Sequence, residues 1–403
     1  MTTKKKILML GGSAQQVPAI KTAKDMGYYT VLIDYLKDNP GQYVADKWYM
    51  ESTTDVETVF RIATEEGVSG ILPYASDPAA LPAAIVAERL GLPTNPAKSV
   101  EILGVKHKFR QFLYENDFPC PKNYIFYSES ALDEVQNHLE KLNYPIVIKP
   151  TDSSGSKGVT FLRNITEVPA AIARASEFSR NRILIAEEFI ERGFPDVIGG
   201  DIFVDKGKII LYGDMACLRG DNGKSLIPIG KRMPSGVTAL QRERLHTELQ
   251  RLIDKLHIQS GEFNIELILD KQDNPHFLEL GPRAGGNMIP IQLSDAMNVD
   301  LLKANVASAM GESIDLNPKN PMSCYMTYVL HSQRDGIYED VDYSLELEPY
   351  IYRKVHYKQA GDKVERFDGA GKALGIIFMC FPDEEIMATI QGRLSNLINI
   401  RLK

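Results

Sequence analysis

Short apolar runs alternate with stretches of helical period over the first hundred residues. Ile7–Leu10 is an apolar run closed by Gly11-Gly12, as a buried strand is. Val17, Ile20, Ala23 and the stretch to Met26 follow at helical spacing and stop at Gly27. Tyr29–Ile33 predicts a second strand, Val56–Glu65 a helix stopped by Gly67, Gly70–Pro73 a strand, and Pro78–Leu90 a helix stopped by Gly91. Strands alternating with helices predict a doubly wound parallel sheet covered on both faces.

The rhythm changes after a helical segment at Val105–Asn116 and the turn Phe118-Pro-Cys-Pro121. Strands are predicted at Ile146–Lys149, Val159–Leu162, Ile183–Glu187, Asp201–Val204 and Lys208–Asp214, with a helix over Ile165–Phe178. An amphipathic helix spans about Ala239 to Leu256. Glu262–Leu269 and His276–Leu280 read as an antiparallel hairpin across Lys271–Asn274. The last ninety or so residues read as α+β, with Gly375–Cys380 the clearest strand. There is no internal repeat and no low-complexity segment.

Composition narrows the class. With 403 residues the chain has room for about two or three domains. A net charge of −7 excludes a general nucleic-acid or acidic-membrane binder, so an anionic ligand has to be drawn in by local lysines and arginines. Cys120, Cys217, Cys324 and Cys380 lie far apart, as reduced thiols in a cytoplasmic protein do. The basic start has no apolar stretch of signal-peptide length behind it, and no run approaches the ~20 residues that span a bilayer. A cytoplasmic location is the expectation.

Gly11-Gly12 after a strand, with Asp34 ending the next, has some likeness to a dinucleotide-binding turn, but the G-x-G-x-x-G spacing is absent. A tight turn in a doubly wound sheet accounts for it, and a nicotinamide oxidoreductase would rest on these glycines alone. More informative is Lys149, at the end of the strand Pro145–Pro150, followed by Ser153-Ser-Gly-Ser-Lys-Gly158. A strand-end lysine is ordinarily a solvent-pointing residue, and small-residue loops are ordinarily linkers. Together with a returning strand they make a cradle whose backbone N–H groups can converge on an anion. Ile183–Ile190 runs from a strand into Glu187-Glu-Phe-Ile190, which suits either an adenine-binding hinge or a core strand with two exposed acids.

The strongest signal is a pair of carboxylates inside apolar strands: Glu266 within Ile265–Leu269, and Glu279 between Leu278 and Leu280. Burying such groups without a partner is unfavourable, and two on neighbouring strands repel unless a cation lies between them. Oxygen ligands beside a phosphate-bearing substrate point to Mg²⁺. Arg283, four residues beyond Glu279, is placed to pair with an acid or to hold a phosphoryl oxygen. A structural carboxylate–arginine pair on a polar sheet face is the plainer alternative.

In the order and spacing of these pieces the chain resembles the ATP-grasp superfamily, which includes D-alanine–D-alanine ligase, biotin carboxylase and the carbamoyl-phosphate synthase large chain. The resemblance covers most of the chain. It implies an N-terminal doubly wound domain over 1–104, a central lid over 105–186 and a metal and phosphate subdomain over 187–310. A C-terminal α+β segment over 311–403 would complete the region. Lys108 and Lys149 would contact ATP phosphates, and the loop Ser153, Ser154, Gly155, Ser156, Lys157 and Gly158 would close over them. Glu187, Glu188, Phe189 and Ile190 would hold adenine, with Asp196 or Asp201 on the ribose. Glu266 and Glu279 would hold Mg²⁺, and Arg283 would be catalytic. The reaction implied is a carboxylate activated as an acyl phosphate and joined to an amine, in a homodimeric enzyme. A purine-pathway carboxylase, a formate-using transferase or an ATP-binding regulatory protein without turnover are the alternatives. The family pattern Glu-x-Asn-x-Arg reads Glu279-Leu-Gly-Pro-Arg283 here, so Gly281 offers no side-chain oxygen to a second magnesium. Substrate-specificity residues are expected in the turn Tyr74-Ala-Ser-Asp77, in the stretch Met215–Pro234 and in the loop beyond Gly286. Arg219, Lys231 and Arg232 in that stretch read equally as ligands for an acidic substrate and as solvated loop charges.

Overall fold

The computed structural model describes residues 4–153, 157–220, 227–321 and 323–403. The N-terminal alternation folds as its pattern predicts. Strands β1 (Lys6–Leu10), β2 (Tyr29–Ile33), β3 (Lys47–Tyr49) and β4 (Gly70–Leu72) form a parallel sheet in the order β3-β2-β1-β4. Helix α1 (Val17–Asp25) packs on one face through Ala19, Ile20 and Ala23. Helices α2 (Val56–Glu66) and α3 (Asp77–Leu90) cover the other through Val59, Ile62, Ala83 and Val86. Both end at a glycine with left-handed backbone, Gly67 at φ 62° and Gly91 at φ 65°, a conformation glycine adopts without a Cβ clash. Gly12 donates its N–H to Asp34 Oδ2 at 2.7 Å, so this turn closes on the chain's own acid.

Two short helices, α4 (Ala97–Gly104) and α5 (Lys106–Glu115), lead out of this domain. The helical segment expected at Val105–Asn116 is α5, and α4 precedes it without having been expected. The break falls at Val105, whose extended backbone (φ −126°, ψ 109°) ends α4 and opens α5. The lid follows: β5 (Asn123–Tyr127), α6 (Leu132–Leu139), β6 (Ile146–Pro150), β7 (Thr160–Leu162), α7 (Val168–Ser176) and β8 (Ile183–Glu188). Its antiparallel sheet runs β5-β8-β6-β7, with α6 and α7 packed on Ile146, Ile148, Leu184 and Ala186. The two-residue period of β6 therefore turns Lys149 to the opposite face.

The largest sheet gathers the rest. Its elements are β9 (Val197–Asp205), β10 (Lys208–Arg219), β11 (Pro228–Met233), α8 (Ala239–Lys255), β12 (Ser260–Leu269), β13 (Pro275–Gly281), α9 (Ile289–Met297), α10 (Leu301–Ala309) and β14 (Cys324–Leu330). They are followed by β15 (Gly336–Tyr343), β16 (Ile351–His356), β17 (Lys363–Val364), β18 (Gly375–Phe381), α11 (Glu384–Gln391), α12 (Leu394–Leu397) and β19 (Ile398–Leu402). Eight strands run β13-β12-β9-β10-β11-β14-β18-β16, and β17-β15-β19 form a small sheet beside them. Helices α4, α5 and α8 bury one face of the large sheet through Leu103, Phe109, Leu113, Leu245 and Leu249. Helix α9 covers part of the other face with Ile289, Leu293 and Met297.

Strands β9 and β10 run longer than the apolar pattern indicates, because Gly199, Gly200, Asp201 and Asp214 interrupt it inside a sheet buried on both faces. β11 forms where a loop was expected, and α9 and α10 form beyond Gly286.

Candidate active site

The site is built on the hairpin β12–β13. Ile265, Leu267 and Phe277 enter the core beneath α8, so by alternation Glu266 faces the other way. Glu279 lies directly across from it in register. Strict alternation would have put Glu279 on the same face as Phe277. The register shifts at this point: Glu266 pairs with Glu279 but Leu267 pairs with Phe277, leaving Leu278 as an extra residue in β13. This β-bulge turns Glu279 toward its partner carboxylate. Arg110 Nη2 donates to the backbone oxygen of Leu278 at 3.0 Å.

Around the two carboxylates stand cations at a loose distance. Arg219 approaches Glu266 at 3.9 Å and Lys106 approaches Glu279 at 3.7 Å. Among the described residues no group of three acids, histidines or cysteines forms a ready-made cage. Two opposed carboxylates with free oxygens fit Mg²⁺, which takes one or two protein carboxylates and completes its shell with phosphates and water.

Glu187, at the end of β8, is buried, and its Oε1 accepts from Arg110 Nε at 2.5 Å. Lys149, on β6, closes on its other oxygen. Burial works against the charge on Glu187, but the two cations outweigh it and pull its carboxyl down to about 2. Arg110 thus ties the lid strand that carries Glu187 to the bulge that carries Glu279. The side chain of Glu187 is committed to this pairing, and Glu188 accepts from the N–H and the side-chain amide of Asn143, both at 2.9 Å. The N–H groups of Glu188 and Phe189 go to the carbonyls of Lys122 and Pro145. Phe189 meets Phe161 edge to face at 5.2 Å, and Ile190 packs with Val197, Cys217 and Leu278. Ser153 Oγ donates to the carbonyl of Lys157, and Gly158 follows at φ 72°. Ser154, Gly155 and Ser156 lie outside the described residues.

Several expected positions are placed differently. Lys108 Nζ donates to Glu101 at 2.6 Å and is not brought to the carboxylates, whereas Lys106 donates to the carbonyl of Ser153 at 2.6 Å beside Glu279. Two residues along a helix are separated by about 200°, so only one of these lysines can face the cleft. Asp196 is engaged by Arg232 Nη2 at 2.9 Å. Asp201 is fully buried, accepting from Asn264 Nδ2 and Gly285 N–H. Arg283 Nη2 donates to Asp77 Oδ2 at 2.7 Å.

Arg219, Lys231 and Arg232 all lie on strands. Lys231 is 7% exposed, and its ammonium donates to Cys217 Sγ at 2.9 Å. Burial pushes the Cys217 thiol up, so the sulfur is a neutral acceptor. A Cβ on Gly199, the β9 residue paired with Glu266, would come within 2.3 Å of that ammonium.

Sequence reasoning missed Lys106 and Arg110, although a signal existed: Lys106, Arg110 and the buried Leu113 fall at the i, i+4, i+7 positions of one helix face. Asp77 closes the turn in which specificity residues are expected, but its pairing with Arg283, 206 positions away, left no trace in the sequence.

A lid sheet over a hairpin that opposes two carboxylates, with Lys106 and Arg219 beside them, defines a protein of the ATP-grasp class. Residues 106–316, a little over half of the chain, match the family model for the carbamoyl-phosphate synthase L chain, ATP binding domain, and the chain belongs to that family. A formate-dependent phosphoribosylglycinamide formyltransferase of Wolinella succinogenes is 26% identical over 69% of this chain and 70% of its own length. The carbamoyl phosphate synthase large chain of Corynebacterium glutamicum is 24% identical over 78% of this chain, which spans only 29% of that protein. The fold matches the crystal structure of an L-amino acid ligase from Bacillus licheniformis with a TM-score of 0.82, 19% identity and full coverage of both chains. Among the described residues no helix is long and apolar enough to cross a membrane.

Proposed function

We propose that this protein is an ATP-dependent ligase that activates a substrate carboxylate as an acyl phosphate and couples it to an amine, releasing ADP and phosphate. The observation that carries this reading is the opposed pair Glu266–Glu279 with Lys106 beside it, beneath a lid that presents Lys149. An oxygen of the substrate carboxylate attacks the γ-phosphorus of ATP, and the bond to ADP breaks. Lys106 and Lys149 hold the phosphate oxygens as their charge redistributes. Glu266 and Glu279 would hold Mg²⁺, which would supply further neutralisation of charge on the transferring group. The amine then attacks the acyl carbon, and phosphate leaves with the oxygen it gained. Arg283 is the candidate for stabilising that tetrahedral stage, and the 153–158 loop for excluding water.

Two of the relatives' names print a carboxylate substrate: formate for the Wolinella protein, an amino acid for the Bacillus structure. A formate-using transferase differs only in which carboxylate and which amine enter. A cytoplasmic location and a homodimer go with the same reading. The test is phosphate release from MgATP over a panel of carboxylates, formate included, and amines added singly and in pairs. Release of ADP and phosphate that needs both partners supports the ligase. Tight ATP binding without release for any pair would favour a regulatory nucleotide-binding protein. Replacing Glu279 with Gln is expected to lower release by about 10²-fold or more, as loss of a major charge-stabilising contact does. An unchanged circular dichroism spectrum would show that the fold survives.

A further inference from the structure

This inference rests on the ligase reading and concerns which carboxylate the site admits. Arg283 is held by a residue of the N-terminal domain. Its Nη2 donates to Asp77 Oδ2 at 2.7 Å, and its Nε lies 2.7 Å from Oδ1 but off the line that a hydrogen bond needs. Its Nη1 donates to the carbonyl of Ala284 at 3.2 Å. The arms of the guanidinium are thus turned to Asp77 or to the adjacent chain. The Arg283 side chain is 11% exposed and that of Asp77 30%. Asp77 is the first residue of α3, and burial opposes its charge while Arg283 and then Lys106 hold its carboxyl below the usual range.

Gly281 keeps the space beside this pair open. A Cβ there would stand 3.2 Å from Arg283 Cζ and 3.3 Å from Asp77 Oδ1. The position where the family pattern carries an asparagine is therefore, in this chain, a clearing next to an ion pair that joins two domains.

Arg283 can present its Nε–Nη2 edge to a substrate carboxylate or a phosphoryl group only by leaving Asp77. Leaving alone strands a mostly buried carboxylate, and removing one partner of such a pair is strongly unfavourable. A substrate bearing an ammonium group next to its carboxylate compensates both charges at once. We propose that Asp77 and Arg283 form a subsite for the zwitterionic head of an α-amino acid, which inserts into their ion pair with its ammonium on Asp77 and its carboxylate on Arg283. Entry of the correct substrate then frees the arginine for the reaction. A carboxylate lacking the ammonium has to part the ion pair uncompensated, so it is rejected by charge and not by size.

The experiment is calorimetric binding to the full chain with Mg²⁺ and a non-hydrolysable ATP analogue. Each of the L-α-amino acids is compared with the acid that lacks only its amino group, such as alanine with propionate and phenylalanine with 3-phenylpropionate. At least one amino acid is expected to bind about tenfold or more tightly than its des-amino partner. Asp77→Asn is expected to bring that ratio close to one while the Kd of the nucleotide analogue stays within about twofold. Gly281→Ala removes no charge but fills the clearing, and is expected to weaken the amino acid several-fold even should Asp77→Asn fail to fold. The proposal is overturned if no amino acid outbinds its des-amino partner, or if folded Asp77→Asn keeps the ratio. The readout separates the two readings. Discrimination without phosphate release under any pairing removes the ligase and leaves this subsite; phosphate release with a carboxylate that shows no discrimination removes the subsite and leaves the ligase.

Discussion

Asp201 and Glu262 stand on the neighbouring strands β9 and β12, both closed from solvent. Asn264 and Gly285 serve the Asp201 oxygens and Asn305 serves Glu262 Oε2, while Glu262 Oε1 has no hydrogen-bond partner among the described residues. Burial raises both acids, and the charge of Asp201 adds to the shift on Glu262, which is lifted well above its usual range. The pair therefore retains a proton that the unfolded chain releases above about pH 4–5. A raised folded-state value means that this contribution to stability is complete at low pH and is lost as pH rises through the folded value. Glu262→Gln carries its proton at every pH, donating to Asp201 and accepting from Asn305. Its free energy of unfolding is expected to exceed that of the parent by a margin that widens from pH 5 to pH 9, reaching on the order of 1–3 kcal/mol in denaturant titration. A margin independent of pH would contradict the retained proton. Lys106 and Lys108 give a second contrast: Lys106→Met is expected to reduce phosphate release by about 10²-fold, and Lys108→Met to leave it within about twofold. Equal effects would place both lysines in the site.

At the level of the elements, the hairpin was legible because Glu266 and Glu279 each break an apolar run, an arrangement hard to reconcile with a plain core. The bulge at Leu278 was not legible. Periodicity counts residues and cannot show that one of them is extra, so strict alternation along β13 would assign Glu279 to the face of Phe277, although the pairing of the two carboxylates was expected. β11 was missed for a related reason: Gly230, Lys231 and Arg232 carry no apolar alternation, and only burial between β10 and β14 makes them a strand. Arg110 secures both the bulge and the lid through Leu278 and Glu187. Arg110→Met removes one partner of a buried ion pair, and is expected to destabilise the protein by about 3–5 kcal/mol in denaturant titration. A loss under about 1 kcal/mol, the range of an exposed pair, would show that Glu187 finds compensation from Lys149 alone.

Over the whole molecule, the N-terminal sheet, the lid and the large sheet each contribute to one cleft. The parallel N-terminal sheet and the antiparallel hairpin were readable, since both are written in local pattern. The contacts that join them were not, because Asp77–Arg283 and Arg110–Glu187 connect residues far apart in the chain, and local period carries no trace of such pairing. The central claim is that a carboxylate oxygen becomes part of the phosphate released. The most direct measurement uses a substrate carboxylate labelled with ¹⁸O, with MgATP and the amine, and follows the label by mass spectrometry of the phosphate. Formation of an acyl phosphate predicts one labelled oxygen in each phosphate released. Phosphate that carries no label, with product formed, would show that the carboxylate is never phosphorylated and would contradict the account.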